Sequence, residues 1–199
     1  MIVYADGKPI LIDVGVGAYT RDTFSDRRYS IWTMQSSYHN LPEVNGYMQK
    51  EGKEFAAEHT TFSEDSFLCI CTNTYPREAN LSFFARSAEV GEKFVKLSSK
   101  FSLSKIDRPI ILNYMLAEKP ELSGHHARVN GYLLKLPEGK WSVETIEFGE
   151  DEKLSPVWGH CVYRLRGEIE ISSKDFTAIT IIEADTKKNQ APEEYPTMK

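Results

Sequence analysis

Apolar and polar residues alternate over short stretches along most of this chain, with the two-residue period of a half-buried strand. Segments 1–5 and 10–14 flank Asp6-Gly7, a dipeptide able to take positive φ at both central positions of a type I′ turn, so a hairpin is expected there. In that register Ala5 faces Lys8 and Met1 faces Ile12. Further strands are expected at 29–34, 47–49, 54–61, 66–74, 81–88, 93–97, 109–116, 128–136, 141–148, 157–168 and 176–183, nearly all rich in β-branched and aromatic residues. Asn45-Gly46, Glu51-Gly52, Asn130-Gly131, Pro137-Glu138-Gly139 and Gly149-Glu150-Asp151 punctuate them as turns. Segment 87–99 also reads as a short helix, although its Val90, Phe94 and Val95 suit a strand equally. The rhythm predicts an all-β fold, a single-domain antiparallel β-sandwich over residues 1–184. Residues 185–199, rich in Lys, Glu and Pro, are expected to form a disordered or surface-draped tail.

Composition narrows the class. With 199 residues, 41% hydrophobic and 12% aromatic, the chain can bury one sizeable core. A net charge of -5, with no cluster of Lys and Arg free of acids, argues against nucleic acid as a partner. Cys69, Cys71 and Cys161 cannot pair completely, and Cys69 and Cys71 share a strand face without the spacing of a metal knuckle, so all three read as small buried hydrophobes. No apolar run approaches the ~20 residues of a membrane span, and no targeting signal opens the chain. In a longer polypeptide such a signal would lie upstream.

Chemistry concentrates near the hairpin. Asp13 follows Ile10-Leu11-Ile12, so its carboxylate is delivered at the end of an apolar strand and needs a cation or several hydrogen bonds. It could ligate zinc together with His39, or cap the Val14-Gly15-Val16-Gly17 turn through backbone N–H groups. Tyr19 follows two glycine bends and would either project a phenol towards a neighbouring domain or lie as an aromatic lid on the sandwich edge. Arg27 and Arg28 could pair with a sugar carboxylate or sulfate, or be neutralised by Asp22 and Asp26. His59, His125, His126 and His160 read as loop or core histidines, and Trp32, Trp141 and Trp158 as core aromatics or sugar-stacking rings.

Asp13-Val14-Gly15 and His39-Asn40, set behind this hairpin, resemble the start of the C-terminal β-sandwich domain of heparinase II/III-type polysaccharide lyases. In that family a His-x-Asp-x-Gly-x-Phe run leads into the hairpin strand, an Asp-x-Gly turn follows, and a His-Asn pair closes the constellation. Met1 stands where that Phe would be, so the histidine-bearing run falls upstream of this chain. Trp158-Gly159 and Tyr163-Arg164 resemble the distal strands of the same domain. The resemblance implies Asp13 and His39 as metal ligands, Tyr19 as a catalytic residue, and Arg27, Arg28 and Asn40 as substrate contacts. It implies β-elimination on uronic-acid-containing glycosaminoglycan or alginate-like polymers, with most catalytic groups on an α/α toroid upstream. Without that toroid the chain is expected to be inert, and with two ligands its zinc is expected to be weak or absent. Expected partners are an acidic polysaccharide and the toroid, with self-association through the face the toroid would cover. The full-length protein is expected to be periplasmic or secreted. The alternative is a free-standing carbohydrate-binding or structural β-sandwich.

Overall fold

The computed structural model describes residues 1–186. The opening hairpin pairs β1 (Val3–Ala5) with β2 (Lys8–Leu11) across Asp6 and Gly7, both at positive φ as a type I′ turn requires. Its register differs from expectation: Ala5 faces Lys8, but a bulge between Val3 and Tyr4 sets Val3 opposite Leu11. Carried two residues further, that offset brings Met1, and not the position before it, alongside Asp13, whose carboxyl is held down chiefly by His39 and in small part by the Met1 ammonium.

The remaining strands are β3 (Glu58–Phe62), β4 (Ser66–Ile70), β5 (Leu81–Val90), β6 (Phe94–Leu103), β7 (Ile110–Leu116), β8 (Glu121–Ser123), β9 (His126–Val129), β10 (Tyr132–Lys135), β11 (Lys140–Glu147), β12 (Cys161–Ile169) and β13 (Asp175–Ala184). They form an all-antiparallel sandwich. One sheet has eight strands in the order β3-β4-β5-β6-β13-β10-β9-β8, and the other three in the order β11-β12-β7. The hairpin extends the smaller sheet beside β7, where the Ile12 N–H donates to the Met115 carbonyl at 2.9 Å and Glu43 exchanges backbone hydrogen bonds with Ile111. β7, covered on both sides, is buried along its whole length.

Phe84 and Phe101 stack at 4.7 Å between the sheets with no exposed surface, and Tyr75 meets Phe84 edge-on. Leu134 and Ile182 of the large sheet pack with Ile110, Leu116 and Leu165 of the small one. The Tyr114 and Thr180 hydroxyls, 2.7 Å apart, join the two layers by a hydrogen bond. Trp141 lies flat on Tyr114 and over Gly167, where any Cβ would come within 2.6 Å of the indole.

Several sequence expectations give way. Segments 29–34 and 47–49 are not strands; the first forms the 3-10 turns Arg28–Ser30 and Trp32–Met34, and the second contributes a single bridge from Tyr47 to Val44. Ser25 and Ser30 hydroxyls bond to carbonyls three residues back, offering the backbone local partners in place of a ladder. Segment 128–136 divides at Asn130-Gly131 into β9 and β10, and the segment 87–99 that also read as helix holds the end of β5, a turn at 91–93 and the start of β6. Ser155–Trp158 is one helical turn, with β12 beginning only at Cys161. Asp185 is buried, donates its N–H to the Gly131 carbonyl and pairs with Arg128 at 3.0 Å, so packing reaches past residue 184. The rest of the expected tail, beyond Thr186, lies outside the described residues. Cys69 and Cys71 are buried and Cys161 partly so, all as free thiols. Among the described residues no helix is long and apolar enough to cross a membrane.

Candidate functional site

The site is built by Asn40. Its left-handed backbone, φ 56°, is one that Asn tolerates better than most residues, and its side chain is buried. The amide donates to the Met1 carbonyl at 2.9 Å and the Ile12 carbonyl at 2.6 Å, while its oxygen accepts the Met115 N–H at 2.6 Å. Asn40 thus clips the hairpin to β7 and fixes its chain neighbour, His39, at the end of the 3-10 turn Ser36–Tyr38. With both donors and the carbonyl engaged inside the protein, Asn40, expected from sequence as a substrate contact, holds the fold.

His39 meets Asp13. Its Nδ1 lies 3.2 Å from both carboxylate oxygens, and its Nε2 donates to the Thr33 carbonyl at 2.8 Å. Asp13 also accepts the Gly15 N–H at 3.0 Å, so the turn-cap arrangement and the His39 contact coexist. The hydrogen bond to Asp13 raises the His39 pKa above its ordinary value, outweighing burial, and the same bond holds the Asp13 carboxyl below its own. The pair forms part of an open cleft of about 380 Å³ that Tyr29, Gln35, Gln49 and Lys50 also line.

A metal tests this arrangement directly. With Nε2–H bonded to Thr33, loss of the Nδ1 proton would leave a lone pair on the Asp13 side, the usual orientation of a ligating histidine. Bonds of about 2.0–2.2 Å from one tetrahedral zinc would hold a nitrogen and an oxygen roughly 3.3–3.6 Å apart. The observed 3.2 Å hydrogen bond lies just short of that span, so a small separation of the pair would admit an ion. The fit covers two ligands, and among the described residues no group of three His, Cys, Asp or Glu could hold a metal.

The other candidates stand apart from this cleft. Tyr19 is exposed, packs edge-on against exposed Phe24 at 5.7 Å, and carries the Lys153 ammonium 3.2 Å from its ring centre. Arg27 is held by Asp22 at 2.5 and 3.0 Å, whereas Arg28 is exposed and makes no side-chain hydrogen bond or ion pair among the described residues. Trp32 stacks on Phe148 and meets Tyr38 edge-on, and Trp158 and Trp141 donate to the Val14 and Pro137 carbonyls; all three are partly buried in packing roles. His59 sits at a bulge in β3 with positive φ, His126 is exposed on β9, His125 lies in the β8–β9 turn, and His160 approaches the Gly149 carbonyl. Sequence reasoning missed Tyr29, Gln35, Gln49 and Lys50 as cleft residues. The only available signal was their closeness in sequence to His39 or to the Asn45-Gly46 turn.

No protein-family model matches the chain, and no curated protein matches it in sequence. A solved structure described as a heparinase III gene product shares the fold, with a TM-score of 0.62 at 16% sequence identity over 92% of this chain. The chain spans 29% of that protein's length.

Proposed function

We propose that this chain is the β-sandwich domain of a polysaccharide lyase acting by β-elimination on uronic-acid-containing polymers, and that its Asp13–His39 cleft forms one wall of the reaction site. The observation that carries this reading is the hydrogen-bonded Asp13–His39 pair in an open cleft, on a sandwich that shares its fold with a heparinase III. β-Elimination needs a base for the proton on C5 of the uronate, positive charge or hydrogen-bond donors on the sugar carboxylate, and an acid for the departing C4 oxygen. In this cleft Lys50 supplies positive charge, Gln35 and Gln49 supply donors, and the Tyr29 phenol is the proton-transfer group, in preference to Tyr19. Asp13 and His39 would hold a zinc ion, which when bound supplies Lewis-acid neutralisation of the carboxylate. The remaining catalytic groups come from a helical domain outside this chain, so the chain alone binds polymer without cleaving it.

Heparin, chondroitin and alginate titrated into the protein test this, with ultraviolet absorbance of the unsaturated uronate read in parallel. We expect binding to at least one polymer, weakened tenfold or more in His39→Ala, with no product. Clear turnover by the chain would sink the claim that it is inert alone; binding that ignores His39→Ala would sink the cleft.

A second reading is a free-standing carbohydrate-binding module. The exposed Tyr19–Phe24 pair, at 61% and 77% exposure, favours it as a sugar-stacking platform. Glycan binding lost in Tyr19→Ala and kept in His39→Ala would select this reading over the first.

A further inference from the structure

Alternate side chains of β4 and β5 enter the interior of the sandwich, and one of them is a cation. Cross-strand pairing sets Phe67 opposite Ala88 and Cys69 opposite Arg86, so Arg86 shares its face with Phe84, a core residue with no exposed surface. Its Nε is buried without a hydrogen-bond partner, and among the described residues no carboxylate lies within ion-pair distance of the guanidinium. Arg86 opens into a cavity of about 340 Å³ whose other walls are Met1, Leu41, Phe67, Cys69, Cys71 and Ala88, and the Met1 ammonium, its pKa pushed down by burial and by Arg86, adds no counter-charge.

The neighbouring acids do not supply the missing charge. Burial pushes the Cys71 thiol up to about 12 and raises the Tyr75 and Tyr114 phenols, so all three are neutral at physiological pH. The Tyr75 hydroxyl is committed to the Pro42 carbonyl and the Tyr114 hydroxyl to Thr180. A cation held against apolar walls without a counter-charge is costly to the fold, which makes the cavity receptive to an anion.

We propose that the Arg86 cavity binds a small organic carboxylate with an apolar body. A guanidinium fork matches two carboxylate oxygens, and the apolar part of such a ligand would lie against Leu41, Phe67 and Ala88. Phosphate and sulfate fit less well, because their further oxygens would face thiols and hydrocarbon without donors. A uronate is excluded on the same ground, since its ring hydroxyls would lose their hydrogen bonds with water. The proposal therefore stands independently of the polysaccharide reading and of the Asp13–His39 cleft.

Thermal melts in butyrate or benzoate, against butyramide or benzamide at matched ionic strength, test it. We expect each tenfold increase in carboxylate beyond saturation to raise Tm by roughly 3–5 °C, and the amides to do nothing. Arg86→Met removes an uncompensated cation, so it should melt at or above the parent temperature without ligand and show no carboxylate response. A parent protein indifferent to both carboxylates, or an Arg86→Met variant that responds like the parent, overturns the proposal. If Arg86→Met does not fold, Arg86→Lys keeps the charge without the fork and should bind at least tenfold more weakly; unchanged affinity overturns the proposal too. A glucuronate response that disappears in Arg86→Met overturns the assignment of an apolar ligand.

Discussion

The centre of the sandwich and the face formed by residues 12–52 are held by different forces. Between the sheets Phe84, Phe101, Leu134 and Leu165 are fully buried, and stability comes from apolar area spread over many partners. The 12–52 face carries four short 3-10 turns and no strand; Ile12, Val14, Trp32 and Tyr38 join a smaller apolar cluster, and single polar side chains fix the turns. Two of these are asparagines in the left-handed conformation. Asn40 ties the hairpin to β7, and Asn45 donates to the Ala79 and Lys105 carbonyls while accepting the Asp107 and Arg108 N–H groups. Burial makes the scaffold tolerant of small shifts, whereas directional bonds fix His39 against Asp13 to within hydrogen-bond precision. A site that depends on a 3.2 Å contact sits where geometry, more than area, sets the structure.

The two regions should fail differently. Phe84→Ala removes a ring stacked between Phe101 and Tyr75 and should cost about 3–5 kcal/mol in urea unfolding. It should leave the His39 titration unchanged, because no bond of the Asp13–His39 pair involves Phe84. A shifted His39 pKa in this variant would show that the core and the 12–52 face are one mechanical unit.

Asn40→Ala should cost somewhat less, about 2–4 kcal/mol, by leaving the Met115 N–H and the Ile12 carbonyl buried without partners. Unlike Phe84→Ala, it should also free His39 from Asp13, so that the imidazole pKa falls back towards its ordinary value of 6.5 in an NMR titration. A loss of under about 1 kcal/mol with His39 unchanged would mean that the 3-10 turns hold themselves.

The same contrast decides what the sequence made legible. Strands β5, β11 and β13 follow from period-two patterning, because their apolar phase is what packs them, and β7 from a continuous apolar run buried on both faces. The Asp6-Gly7 turn was equally readable, but the bulge at Val3 was not, since nothing local distinguishes it from a regular ladder. Segment 29–34 has strand composition in Tyr29, Ile31 and Trp32, yet serine hydroxyls and the absence of a pairing strand turn it into 3-10 structure. Asp13 announced itself as a carboxylate after a buried run, and His39 as a candidate partner. Tyr29 and Lys50 were invisible because their placement depends on turns and on contacts with Gln35 and Thr74 that periodicity does not describe. Arg86 did leave a signal in the spacing Phe84-x-Arg86-x-Ala88, a charge on the inward phase of a strand.

The smallest effect is the most informative about the site. The folded pKa of His39 lies above 6.5, so its stabilisation by Asp13 is complete below that pH and is lost as pH rises through the folded value. The folded pKa of Asp13 lies below 3.8, so its share is complete above that pH and is lost as pH falls through the folded value. Together they set a plateau between about pH 4 and 6.5, worth at most about 1 kcal/mol for so exposed a pair. A double-mutant cycle of Asp13→Asn and His39→Gln, run with a chelator at pH 5.5 and pH 9, should show coupling at the lower pH and little at the higher. Zinc inverts this dependence, because Nδ1 must give up its proton before it can ligate, so coupling through a bound metal grows as pH rises. Coupling that is larger at pH 9 than at pH 5.5 when zinc is added, and disappears with chelator, would place the ion between Asp13 and His39. Coupling that ignores zinc at both pH values would leave the pair as an ion pair anchoring the 12–52 face.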